Sequence, residues 1–275
     1  MKDASTQPVL VATGITKVLG QGAGQVVAVK GVDITLMPGE LTLLMGPSGS
    51  GKTTLLSILG CILTPTAGTI VIAGTETAIL SAEGLARLRR THVGYIFQSY
   101  NLFPTLTALE NVRIALDVAG HTGKTAIAQA EQALRDVGLA HKFKSYPANL
   151  SGGEKQRVAV ARAIASAPSI VLADEPTAAL DSENGTAVMK LLSEIARTQN
   201  RSILVVTHDP RTLAYADRVI QIEDGLIVSE DRHNQASQAS NESGSKPSGT
   251  AELIELPASE RGSKRRRTSS SKTAG

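Results

Sequence analysis

Short apolar runs alternate with stretches of helical spacing from about Val9 to Asp231, the pattern of strands joined by helices in a mainly parallel sheet. The runs Leu41 to Met45, Ile170 to Ala173 and Ile203 to Val206 are continuous and rich in Leu, Ile and Val. Strands covered on both faces have that composition, so these three are expected at the sheet centre. Between Gln98 and Leu150 the period changes: Ile127, Ala130, Leu134 and Val137 fall on one helical stripe, and Gly138 follows as a stop. The stretch 99–165 reads as a mainly helical lobe inserted into an α/β domain of residues 1–232. After Asp231 the composition turns to Ser, Gly, Asn, Gln, Lys and Arg. Too few apolar groups remain there to offset the entropy of ordering a backbone, and residues 233–275 read as a disordered tail.

Composition adds bounds. With 41% hydrophobic residues, a chain of 275 can bury the core of one large α/β domain. No run approaches the roughly 18 to 20 apolar residues of a membrane-spanning helix. The N-terminus lacks the pattern of a secretory signal, so the expectation is a cytoplasmic protein with any membrane span on another chain. Cys61 is the single cysteine; it excludes an intrachain disulfide and reads as a buried small hydrophobe. Residues 261–275 hold Arg261, Lys264, Arg265, Arg266, Arg267 and Lys272 and no acid, so the formal charge of +3 leaves residues 1–260 at −3. A slightly acidic body argues against general nucleic-acid binding. The basic cluster is a candidate contact for anionic lipid, and a solvated tail is its equal alternative.

Three motifs carry chemistry. Gly46, Pro47, Ser48, Gly49, Ser50, Gly51, Lys52 and Thr53 follow a predicted strand and precede a helix near Thr54, the context of a phosphate-binding loop. Its N–H groups and the helix N-terminus favour an anion, Lys52 suits β- and γ-phosphates, and the Thr53 hydroxyl suits Mg²⁺. The strand from Ile170 ends in Asp174 and Glu175, where open α/β sheets bind ligands. Asp174 is a candidate Mg²⁺ ligand and Glu175 a candidate general base, and alternation along a strand would point them to opposite sides. Leu150, Ser151, Gly152, Gly153, Glu154 opens a helix with a capping box that stops before Pro168. Two glycines in a first turn cost helix stability, and bare N–H groups there would make a second anion site.

Together these words resemble the ABC transporter ATPases over about Val9 to Asp231. The resemblance implies a P-loop NTPase cassette with a mainly parallel core, an N-terminal antiparallel β region and the helical lobe. It makes the phosphate loop Walker A, Asp174 and Glu175 the end of Walker B, Leu150 to Glu154 the signature, and Ala179 to Asp181 the D-loop. Gln98 becomes the Q-loop glutamine, near Mg²⁺ and the γ-phosphate, and His208 the switch histidine, acting with Glu175 and Lys52 in catalysis. It further implies a homodimer that sandwiches two ATP molecules between Walker A and the partner's signature. That dimer would drive transmembrane permease subunits from the inner face of the plasma membrane. The words SILGC, GYIFQ, DEPTAALDS and VTHDP resemble the macrolide-efflux, lipoprotein-releasing and cyanobacterial glycolipid-exporter ATPases. Importer ATPases and soluble ABC ATPases stay open as alternatives. One departure stands out: the family places an aromatic residue near position 19 to stack on adenine, and this chain has Lys17, Val18, Leu19, Gly20.

Overall fold

Two sheets share the residues described by the computed structural model, 7–232. The strands are β1 (Leu10–Leu19), β2 (Val26–Leu36), β3 (Leu41–Met45), β4 (Ala67–Ile72), β5 (Thr75–Glu76), β6 (Val93–Ile96), β7 (Ile170–Asp174), β8 (Ser202–Thr207), β9 (Arg218–Glu223) and β10 (Leu226–Arg232). The helices are α1 (Lys52–Leu59), α2 (Ala82–His92), α3 (Ala108–Val118), α4 (Gly123–Asp136), α5 (Gly152–Ile164) and α6 (Ser182–Thr198). The smaller sheet is antiparallel, in the order β2-β1-β4-β5, as expected for the N-terminal region. The larger has the order β10-β9-β3-β8-β7-β6 and is parallel except for the β9 and β10 pair.

The three apolar runs are the central strands β3, β7 and β8, and their side chains divide between two cores with a period of two. Leu41, Leu43, Met45, Val171, Ala173, Ile203 and Val205 belong to one cluster. Leu44, Ile170, Leu172, Leu204 and Val206 belong to the other. Burial on both faces explains why these runs show no polar alternation. The first cluster is completed by α3, α4, α5 and α6, and the second by α1 and the antiparallel sheet.

Buried residues of the helical stretch, such as Val112, Leu116, Ala130, Leu134 and Val158, are continuous with the sheet's own cluster. Its helices therefore have no core apart from the sheet. The stripe of α4 differs by one position from the expected one: Ala126, Ala130, Ala133 and Leu134 are buried, whereas Ile127 is 37% exposed. Residues 99–107 are not helical, and α2 lies outside the stretch expected to be helical. Cys61 is half-buried rather than buried, and burial pushes its thiol pKa up. No helix among the described residues is long and apolar enough to cross a membrane. The expected tail, with its basic cluster, lies outside the described residues.

Candidate functional site

Parallel pairing sets the site. Met45 stands opposite Thr207, Val206 opposite Asp174, and Ala173 opposite Ile96, so four strands end in one row. The segments that leave this row carry the loop Gly46 to Gly51, His208, Glu175 and Gln98. Residues far apart in the chain meet because the strands share one carboxyl edge.

The loop between β3 and α1 is walled by backbone on two sides. A Cβ on Gly46 would lie 2.0 Å from the Ile222 carbonyl oxygen, and one on Gly51 would lie 2.3 Å from that of Ala28. Gly51 also has φ +97, a left-handed value that favours glycine. Gly225 N–H donates to the Ser50 carbonyl at 3.1 Å, so the β9–β10 turn supports the loop from outside. Lys52 is buried and folds back, its Nζ donating to the carbonyls of Gly46 and Pro47 at 2.8 and 2.7 Å. Its direct partners are neutral carbonyls, with the Asp174 carboxylate acting on it only through charge, and no side chain caps α1 at Gly51. Uncapped N–H groups around a buried cation fit a polyphosphate.

Thr53 Oγ1 donates to Asp174 Oδ1 at 3.1 Å. Burial pushes the Asp174 carboxyl above its ordinary pKa, against a smaller pull from the Thr53 bond. Hydroxyl, carboxylate and the nearby Gln98 amide are hard oxygen donors of the type Mg²⁺ takes. Tyr95, on β6, has its hydroxyl pushed up to about 12, by burial first and by the Asp174 charge second. Glu175, expected to alternate with Asp174 along the strand, stands just beyond its end. It has left β7, takes φ 45, and its N–H donates to the Val206 carbonyl at 2.9 Å. This left-handed residue turns the carboxylate toward the next segment, where Glu175 Oε1 meets His208 Nδ1 at 2.7 Å. The contact brings His208 and Glu175 together, the pair the resemblance named. Beyond it, Arg211 pairs with Asp209 and reaches the Ser182 hydroxyl, tying the segment after β8 to the start of α6.

The phosphate loop, Thr53, Glu175 and His208 border one open cleft of roughly 840 Å³, and Asp174 stands behind Thr53 rather than in its lining. Pro47, Ser48, Gly49, Gly51, Lys52, Thr53 and Thr54 line one side, with Gln98, Glu175 and His208 beside them. Gly46 and Ser50 form the loop's inner layer. At the far end stand Leu19, Val26 and Val27, aliphatic and 39%, 63% and 41% exposed, with no aromatic residue among the lining. The walls supplied by Ala28, Ile222 and Gly225 were not legible in the sequence, because they act through backbone atoms.

Ser151, Gly152 and Gly153 stand outside this cleft. The expected capping box is present: Ser151 Oγ accepts from Glu154 N–H, and Ser151 N–H donates to the Glu154 carboxylate at 2.8 Å. That bond holds the Glu154 pKa below the ordinary range. The cap uses the N–H groups of Ser151 and Glu154 and places a carboxylate beside the helix start, whereas the N–H groups of Gly152 and Gly153, at the first two helical positions, are not used by it. Gly153 has a packing reason as well, because its Cβ would lie 2.2 Å from Asn184 Oδ1. Gly152 is exposed, with the Tyr100 hydroxyl 3.3 Å from where its Cβ would stand.

The profile of the ABC transporter family matches residues 29–178. This chain belongs to that family. As an ABC ATPase domain it binds nucleotide, which accounts for a buried lysine bonded only to neutral groups in an uncapped loop. It is 45% identical over 217 residues to the macrolide export ATP-binding/permease protein MacB of Rhodopseudomonas palustris, covering 79% of this chain and 33% of that protein. To MacB of Escherichia coli K12 it is 44% identical over 221 residues, covering 80% and 34%. The chain spans about a third of the length of these relatives. Among solved structures, the dimeric ATP-binding cassette MJ0796 bound to ADP and Pi aligns with TM-score 0.74 and 38% identity, covering 81% of this chain and 98% of that one. The cbiO1 protein of Clostridium perfringens aligns with TM-score 0.74 and 27% identity, covering 86% and 92%.

Proposed function

We propose that this ABC ATPase is the motor of an exporter or mechanotransmission transporter, working as a homodimer on a transmembrane permease at the inner face of the plasma membrane. The observation that carries the dimer is a separation. The cleft holds the phosphate loop, Gln98, Glu175 and His208, while Ser151 to Gly153 lie outside it. A second copy would bring its own Ser151 to Gly153 to the open side of this cleft. The exporter reading is supported by the macrolide export relatives, and the permease would come from outside the described residues.

In this reading Gly46 to Gly51, with Pro47, Ser48, Gly49 and Ser50 between them, wrap the phosphates of ATP. Lys52 exchanges its carbonyl partners for phosphate oxygens, and Thr54 adds a donor at the start of α1. Thr53, Asp174 and Gln98 would hold Mg²⁺, which when bound neutralises phosphate charge. Glu175 takes a proton from the attacking water as general base. His208 fixes the Glu175 carboxylate through the 2.7 Å contact and presents its other ring nitrogen toward the cleft. Leu19, Val26 and Val27 receive the base by aliphatic contact. The cluster Lys264 to Arg267 is proposed to touch anionic lipid, on charge alone.

Mixing two defective subunits tests the shared site. Lys52→Ala and Gly152→Asp proteins are each expected to be inactive, whereas their heterodimer keeps one intact pairing of loop and signature. Steady-state phosphate release from the mixture should exceed the sum of the separate proteins. Verified heterodimers with no gain would end the two-subunit reading.

A further inference from the structure

Gln98 reaches the cleft from a segment with unusual backbone. Tyr100 and Asn101 have φ 61 and 49, two consecutive residues other than glycine in the left-handed region. Such values are uncommon for one residue, and for an aromatic side chain they need outside support. The local bonds are short-range only: Tyr100 N–H donates to the Phe97 carbonyl and Asn101 N–H to that of Ser99. Further along, Asn111 on α3 is fully buried and holds the backbone of Phe103, Leu106 and Thr107. Between Gln98 and that anchor, the support comes from Arg162 on α5. Its Nη1 donates to the Asn101 carbonyl at 2.5 Å and its Nη2 to the Tyr100 carbonyl at 2.7 Å.

The chemistry of Arg162 is telling. It is half-buried, has no carboxylate partner among the described residues, and burial alone draws its pKa down. Placing a guanidinium there without a counter-ion costs free energy that an apolar side chain of similar length would avoid. What the guanidinium adds is a planar fork matched to two neighbouring acceptors. Arg162 also stands on the helix that begins at Ser151 to Gly153, about 15 Å along the axis from that end.

We propose that Arg162 is a positioning residue: by forking onto the Tyr100 and Asn101 carbonyls it holds their left-handed backbone and so sets Gln98 in the nucleotide cleft. The proposal rests on the reading of that cleft given above. One rigid helix then carries both the signature end and the restraint on Gln98, so neither can shift without the other.

Three measurements on the full chain test it: steady-state turnover, nucleotide affinity without divalent metal, and amide hydrogen exchange over residues 98–103. Arg162→Met should lower turnover about 10- to 100-fold, the range seen when an orienting partner is lost, and should speed exchange across the segment while leaving metal-free affinity unchanged. Asn101→Val attacks the same conformation from the loop, because a β-branched residue resists φ 49 while its exposed side chain meets no packing. If both act on one conformation, the double variant should lose little more than the worse single one. Losses that multiply, or normal turnover and exchange in folded Arg162→Met, would overturn the proposal. Should Arg162→Met fail to fold, Arg162→Lys keeps the cation without the fork and should show the same exchange with a milder loss; wild-type behaviour would overturn it equally. If Lys52→Ala left nucleotide affinity intact, the cleft reading itself would be the one to fall.

Discussion

Helices α1 and α5 both start in turns rich in glycine and serine, and the two starts are built in opposite ways. At α1 no side chain caps the helix, a lysine is folded into the preceding loop, and backbone from β2 and β9 walls the glycines. At α5 a capping box closes the helix on itself and adds the Glu154 carboxylate. The first start is unfinished without an anion. The second carries its own cap, which leaves the N–H groups of Gly152 and Gly153 outside its bonds. The comparison teaches that glycine at a helix start has two meanings, room for a ligand or room for a neighbour, and that capping tells them apart.

The chemistry belongs to the α1 side of this comparison, so the largest expected effect is there. Glu175→Gln should reduce turnover by roughly 10² or more while nucleotide still binds, since a positioned base contributes about 10² to 10⁴. Single-turnover hydrolysis and nucleotide affinity, measured together, check it; turnover within a few-fold of wild type would remove Glu175 from the mechanism.

The α5 start can be sharpened by its two glycines. Gly153→Ala should destabilise by about 1 to 3 kcal/mol, as overpacking does, because the new methyl meets Asn184. Gly152→Ala faces solvent and should stay within roughly 0.5 kcal/mol of wild type. Denaturant melts of the two variants compare them directly, and equal stabilities would mean that Asn184 moves aside freely.

The smallest effect lies at the aliphatic end of the cleft. Leu19→Tyr should tighten ATP binding by about 1 kcal/mol, at the lower end of what base stacking on an aromatic ring contributes. Titration with ATP and GTP reads it, and an unchanged dissociation constant in folded protein would place the base elsewhere.

Much of this arrangement was legible in the sequence because it depends on local spacing. The runs that became β3, β7 and β8, the phosphate loop and the Ser151 cap each follow from neighbours within a few residues. Where the reading failed, the cause was distant. Glu175 leaves the pleat because its N–H bonds across to Val206, and no feature of residues 170–175 announces this. Gly153 faces Asn184 from another helix, and Arg162 serves carbonyls some sixty residues earlier. Ile127 fits the helical period yet faces outward, since period fixes a stripe only to within a position or so.

The place of β3 between β8 and β9 has a consequence for how the protein is made. Both neighbours lie far along the chain, about 160 and 175 residues after their partners on β3. At ribosomal rates of roughly 5 to 20 residues per second, this largely apolar strand waits about 8 to 35 s with both edges unpaired. The phosphate loop waits with it, because Gly46 leans on Ile222 and Ser50 on Gly225. A nascent chain thus exposes a strand prone to wrong pairing, and it gains a nucleotide cradle only as the last strands emerge.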